Sequence, residues 1–221
     1  MGSGWWVTSY WESNPMLLVS WVVWVIGSIV LHELAHGWAA IRCGDDTPRL
    51  SGHMTWNPRV HMGDMALVIF AVIGITWGAM PVNPRRFRGR HDDALVSFAG
   101  PAMNLSLAVV AAVCGAIWLR IGVAADMPVH VIKNAYTFFW TGTALNLFLM
   151  LFNLLPISPL DGSHILRSFS PAFGRLEQSE HGPKIALGAF VIVFFFGAEY
   201  LFGIAFRTAT VAIDQIHAFL P

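Results

Sequence analysis

Charge is scarce in this chain: Asp, Glu, Lys and Arg make up 12% of its 221 residues, about half the share of an ordinary soluble domain. Thirteen acidic and thirteen basic side chains cancel to a formal net charge of zero. With no long basic run, the electrostatic footprint of a nucleic-acid partner is missing. Cysteine is nearly absent as well. Cys43 and Cys114, the only two, fall at the end of one apolar run and within a later one, so no disulfide framework is indicated. The N-terminal segment holds no Lys or Arg, and the first apolar run is too long for a cleavable signal peptide. What is abundant is apolar surface, 56% of residues, with ten Trp and sixteen Phe. That composition places the chain in a lipid bilayer.

A helix needs about 20 apolar residues to cross a membrane. Clear runs of that kind extend from about 16 to 41, 94 to 119, 135 to 156 and 185 to 206. A shorter run, 65–80, is broken by Gly74, Gly78 and then Pro81, and reads as a short span, a re-entrant hairpin or a small-residue packing face. Trp5, Trp6, Tyr10 and Trp11 form an interfacial aromatic belt. Seven of the thirteen basic residues lie between 42 and 92, and Arg167, Arg175 and Lys184 lie between 159 and 184. The positive-inside rule puts both segments in the cytoplasm, and the N-terminus and the 120–134 loop outside. The later spans then cross out and back by themselves, so 65–80 must dip in and return on the same side.

Inside the first span stands Leu31-His32-Glu33-Leu34-Ala35-His36-Gly37. His32 and His36 are one helical turn apart and project from one face, spaced to place two imidazole nitrogens on one metal ion, with zinc the expected one. Glu33 lies beside them, where it could take a proton from water activated by the metal. These three are the only ionisable residues between Met16 and Ile41. Ionisable groups at membrane depth persist mainly by pairing, lining a wet cavity or binding metal.

A catalytic zinc typically has three protein ligands and one open position. Asp161 is the strongest third candidate. Pro156 and Pro159 break the helix before it and Gly162 allows a sharp turn after it, so its carboxylate can point sideways into the bundle. Capping the following helix is the competing role. His36 lies roughly 9 Å of helical rise before cytoplasmic Arg42, a depth that Asp161 can share.

Three elements together resemble the site-2 protease family of intramembrane metalloproteases, peptidase family M50: His32-Glu33-Leu-Ala-His36, Phe98-Ala-Gly-Pro101-Ala-Met-Asn104, and Asn153-Leu-Leu-Pro-Ile-Ser-Pro-Leu-Asp161-Gly162. Trp77-Gly78-Ala79-Met80-Pro81-Val82-Asn83-Pro84-Arg85 is a shortened version of the family's proline-rich run. His61-Met-Gly63-Asp64 stands where compact relatives often carry Asp-Pro-Gly. The resemblance implies His32, His36 and Asp161 as ligands of one zinc ion, Glu33 as general base, and Asn153 as a polar group near the site. Asn153 could donate a hydrogen bond to the substrate, or it could bond across helices. Asn104 reads as structural.

The implied activity is that of a zinc metalloendopeptidase cutting peptide bonds in or near transmembrane segments. Its partner would be a protein or peptide substrate with a membrane-spanning helix. The expected fold is an all-α polytopic bundle of about four transmembrane helices with a re-entrant hairpin and a small β-like segment near the site, at 49–58. That segment could hold an unwound substrate strand by β-addition. The whole of 1–221 reads as one integral-membrane domain, with its core at 16–162, in the compact form without PDZ or CBS domains. It is expected in the cell membrane with the site toward the cytoplasm. His53, His61 and His91 read as solvent-exposed loop histidines, His164 as a cap or surface residue, and Glu199 as facing the bundle or water. A metal transporter, or an inactive scaffold for transmembrane helices, would share some of these features.

Overall fold

In the computed structural model, which describes residues 5–220, all regular structure is helical and no strand occurs among the described residues. A short interfacial helix α1 (Trp6–Ser13) leads into α2 (Pro15–Arg42). Asn14 starts α2 by accepting a hydrogen bond from the Leu17 N–H at 3.0 Å, with Pro15 at the first helical position. Gly44, at φ 102°, lets the chain turn away at its end. After α3 (Thr47–Leu50) and α4 (Pro58–Ile73) come α5 (Asp92–Ala124) and α6 (Val129–Asn153), then the short α7 (Asp161–Phe169) and α8 (Pro171–Glu177). α9 (Gly182–Ile192) continues through a π-helical turn, Val193–Gly197, into α10 (Ala198–Phe219).

Four helical runs are long and apolar enough to span a membrane: α2, α5, α6 and the continuous 38-residue run from Gly182 to Phe219. These are the four expected spans, and the chain is an integral membrane protein. The last is far longer than 185–206, and no residue of its apolar window is fully buried. It leans on α6 through an aromatic seam in which Phe202 stacks on Phe148 at 3.7 Å. Glu199 lies exposed on this outer helix, away from the bundle interior.

The 65–80 run resolves into an outward helix and an extended return. α4 kinks at Gly63 and ends at Gly74, both at positive φ. Val25 and Ile29 of α2, Met62, Ala66 and Phe70 of α4, and Leu145 of α6 form a buried cluster that holds α4 in the bundle. A helix end at membrane depth leaves carbonyls with no water to bond. Here tryptophans supply the donors: Trp5 and Trp6 indole N–H groups reach the Ala71 carbonyl at 2.9 and 3.1 Å, and that of Trp21 reaches Gly74 at 2.9 Å. From Gly74 the chain returns extended beside α2. Gly78 meets Ile29 and Glu33, Met80 meets Gly37, and the Asn83 N–H donates to the Asp45 carboxylate just beyond the end of α2 at 2.6 Å. The segment therefore goes out and back with no net crossing, as the charge pattern requires.

The β-like segment expected at 49–58 does not form. Pro48 opens the single turn of α3, Gly52 takes φ 73°, and the Ser51 and His53 N–H groups close back on Thr47 and Pro48. Local turns satisfy this backbone before any cross-strand partner can. The extended backbone near the motif is 75–83 instead.

Candidate metal centre

The last third of α2 carries His32, Glu33 and His36, all buried. α5 crosses this face with Gly100, which must be glycine: a Cβ there would stand 2.4 Å from His36 Nε2 and 2.5 Å from His32 Nε2. One turn earlier on α5, the Val96 carbonyl lies 2.7 Å from His36 Nδ1, and one turn later Asn104 Oδ1 lies 2.6 Å from His32 Nδ1. Both Nε2 atoms are thereby turned inward, 3.0 Å apart.

Asp161 closes the group. It is the first residue of α7, whose N-cap is Leu160. Its Oδ2 lies 3.2 Å from His32 Nε2 and its Oδ1 3.3 Å from His36 Nε2. The sharp entry depends on Gly162, whose Cβ would sit 2.2 Å from the Leu154 carbonyl oxygen. Lower on α7, Arg167 fixes the helix to α5 through Asp93 at 3.2 Å.

One ligand atom from each of His32, His36 and Asp161 lies within 4.8 Å of the others, so the three could hold a metal ion. The chemistry of the donor set fits one. A backbone carbonyl only accepts hydrogen bonds, so His36 Nδ1 carries a proton, and in the neutral ring that leaves Nε2 a bare lone pair. That lone pair faces an imidazole nitrogen and a carboxylate oxygen, and Asp161 Oδ2 is buried without a hydrogen-bond partner. Electron pairs gathered this closely call for a cation, and two imidazoles with one carboxylate are a zinc-type set.

Glu33 is beside the cluster, within electrostatic range of His32, His36, Asp161 and also His61. Gly78 packs directly against it: a Cβ would come within 2.8 Å of Glu33 Cγ and Oε1. Asn153, the last residue of α6, is not drawn into this group. One of its amide hydrogens goes to the Leu149 carbonyl at 3.0 Å.

His61 departs from the exposed-loop expectation. It is 3% exposed, its Nε2 pairs with the Thr55 carbonyl at 2.7 Å, and its Nδ1 has no partner. The fold of α4 onto α2 buries it, which no local pattern announced. Gly100 and Asn104 did have a signal, because four residues apart they share one face of α5. His53 bonds Ser51, His91 stacks on Phe169, and His164 lies 2.6 Å from Arg167, all outside the cluster.

Fold and site thus define a class: a helical integral-membrane protein with a His–His–Asp cluster that could hold a metal ion, set inside the bundle beside a carboxylate. The sequence profile of Peptidase family M50 matches residues 20–197, and the chain belongs to that family. It is 36% identical to YwhC of Bacillus subtilis (strain 168) over 169 residues, 75% of this chain and 76% of that protein. It is 31% identical to Rip2 of Mycolicibacterium smegmatis over 159 residues, 66% of this chain but 54% of Rip2, so it spans about half the length of that relative. With MJ0392 of Methanocaldococcus jannaschii it shares 26% identity over 171 residues, 77% of this chain and 40% of the relative. All three carry the words zinc metalloprotease in their names. No solved structure matches the chain.

Proposed function

We propose that this protein is an intramembrane zinc metalloendopeptidase that hydrolyses peptide bonds in or near transmembrane segments of membrane-protein substrates. The observation that carries the reading is the meeting of His32, His36 and Asp161, from two distant parts of the chain, beside Glu33. His32, His36 and Asp161 would hold one zinc ion, which when bound would supply Lewis acidity for activating water and the peptide carbonyl. Glu33 is the general base, taking a proton from the attacking water and passing it to the departing amine. Gly78 and Gly100 keep side chains out of this space. Asn153 retains an amide N–H for the substrate carbonyl or backbone.

A substrate helix shields its own amides, so it must unwind to be cut. The return segment 75–82 is extended beside Glu33, and among the described residues only its Ala79 N–H has a backbone partner, the His61 carbonyl at 2.9 Å. Its remaining backbone groups can take an unwound strand by β-addition. The substrate is a protein with a single membrane-spanning helix, met within the bilayer. The basic 42–92 segment supports a site toward the cytoplasmic side of the cell membrane.

The test is cleavage of a single-span substrate co-reconstituted in vesicles with wild type or Glu33→Gln, with zinc content measured in both. Glu33→Gln is expected to keep zinc and lose about 10²–10⁴-fold in rate. Zinc binding by both proteins with no cleavage of a broad substrate panel by either overturns the protease reading. Zinc flux surviving Glu33→Gln favours transport.

A further inference from the structure

We propose that Asn104 and Asn146 act as a positioning relay that decides which nitrogen of His32 carries its proton, and that the Gly142 carbonyl on α6 sets the direction. The proposal rests on the reading of His32 as a metal ligand. An imidazole has two neutral tautomers and a side-chain amide can be turned end for end, so a lone His–Asn pair at this distance fixes neither. Here the ambiguity is removed from the far end. Asn146 lies 2.9 Å from the Gly142 carbonyl, which can only accept, so Asn146 must present its NH2 group there. Its Oδ1 then faces Asn104 at 2.9 Å and requires the NH2 end of that amide. Asn104 is left with Oδ1 toward His32 Nδ1, 2.6 Å away, and this acceptor requires a proton on Nδ1. In the neutral ring the lone pair of His32 is thereby left on Nε2, the nitrogen that faces His36 and Asp161.

Both asparagines are fully buried, so no water stands ready to replace a mismatched partner. His36 gains the same tautomer in one step, from the Val96 carbonyl. His32 is served through two amides, and α6, which supplies no ligand to the cluster, thus orients a ligand on α2 by way of α5.

A double-substitution cycle read by zinc affinity tests this, using the full chain in detergent and a competing chelator. Asn146→Leu frees the Asn104 amide to turn, and is expected to weaken zinc binding about 10-fold or more, within the 10–100-fold range of lost ligand orientation. Asn104→Leu should do the same. Asn104→Asp has no donor end to misplace, but its second oxygen would face Asn146 Oδ1; removing that acceptor with Asn146→Leu should therefore cost it nothing further and leave the double variant binding zinc more tightly than Asn146→Leu alone. Equal losses from Asn146→Leu in the wild-type and Asn104→Asp backgrounds, or no loss in either, overturn the relay.

Should Asn146→Leu not fold, ¹⁵N-histidine spectra of the metal-stripped wild type in mildly alkaline buffer decide, with His32→Gln identifying the His32 signals. Read at a pH where the His32 ring is neutral, a proton on Nδ1 with a bare Nε2 is expected, and a bare Nδ1 overturns the proposal. Because this measurement needs no zinc, absence of zinc binding by the wild type sinks the metalloprotease reading separately.

Discussion

Missing side chains matter at this site as much as the ligands do. At Gly100 on α5 and Gly78 on the return segment a Cβ would collide with the histidines and with Glu33. A methyl group at Gly100 would enter the space between the two Nε2 atoms. Gly100→Ala is therefore expected to weaken zinc binding by about 10–100-fold, the scale seen when ligand orientation is lost, while helix content by circular dichroism stays unchanged. Zinc affinity equal to wild type would remove Gly100 from this role. The His-Glu-x-x-His pattern and the broken helix before Asp161 made the three residues of the candidate cluster readable from the sequence. His61 was not readable. Its burial comes from α4 folding back on α2, an event that involves residues far from it along the chain.

At the scale of elements, the short connections carry the site as firmly as the spans do. Asp45, immediately beyond α2, is fully buried and accepts hydrogen bonds from the Thr47 N–H and hydroxyl and from the Asn83 N–H. It thus pins the end of the return segment to the end of the ligand helix. Burial works against its charge, but the Thr47 and Asn83 hydrogen bonds prevail and hold its carboxyl below the usual carboxylate range. A depressed folded-state pKa stabilises the fold above the unfolded value, about 3.9, and that contribution is lost as pH falls through the lower folded value. Asp45→Ala is expected to cost about 1–3 kcal/mol by leaving buried N–H groups unpaired. It should also flatten the acid limb of the stability curve, measured by denaturant unfolding between neutral and acid pH. An unchanged acid limb would remove Asp45 from this role.

The segment 65–83 shows what sequence can and cannot say about an element. Charge bookkeeping required that it add no crossing, and the structure meets that requirement. The direction of its halves, helix out and extended chain back, depends on three tryptophan N–H groups that bond the carbonyls of Ala71 and Gly74. Trp5 and Trp6 were legible as an interfacial belt and Trp21 as part of an apolar span, but their partners lie more than fifty residues away. The β-like segment was misplaced for a related reason. Alternating character around Thr55 suggested a strand, but Pro48 and Gly52 close that stretch into turns, and extension falls to the Gly- and Pro-rich return segment.

For the molecule as a whole, the basic loops and the site share one end of the bundle, and the proposed orientation makes a direct demand. In a chain with Cys43→Ser and Cys114→Ala, a cysteine at Arg90 should react with a membrane-impermeant thiol reagent only after the cells are permeabilised. A cysteine at Ala125 should react in intact cells. The reverse pattern would turn the protein over and place the site toward the outside.

By itself the sequence determined the solvent, the number of spans, and the candidate ligands and general base. Each of these follows from local chemistry: apolar length, charge asymmetry, and the fixed rise and turn of a helix. Only the tertiary structure decided that Asp161 stands at the histidines, that Gly78 and Gly100 leave the space open, and that Asn146 reaches His32 through Asn104. Those facts depend on how α2, α5, α6 and α7 approach one another. Such approaches are set by packing and by the need to pair every buried polar group, and both are properties of the assembled bundle.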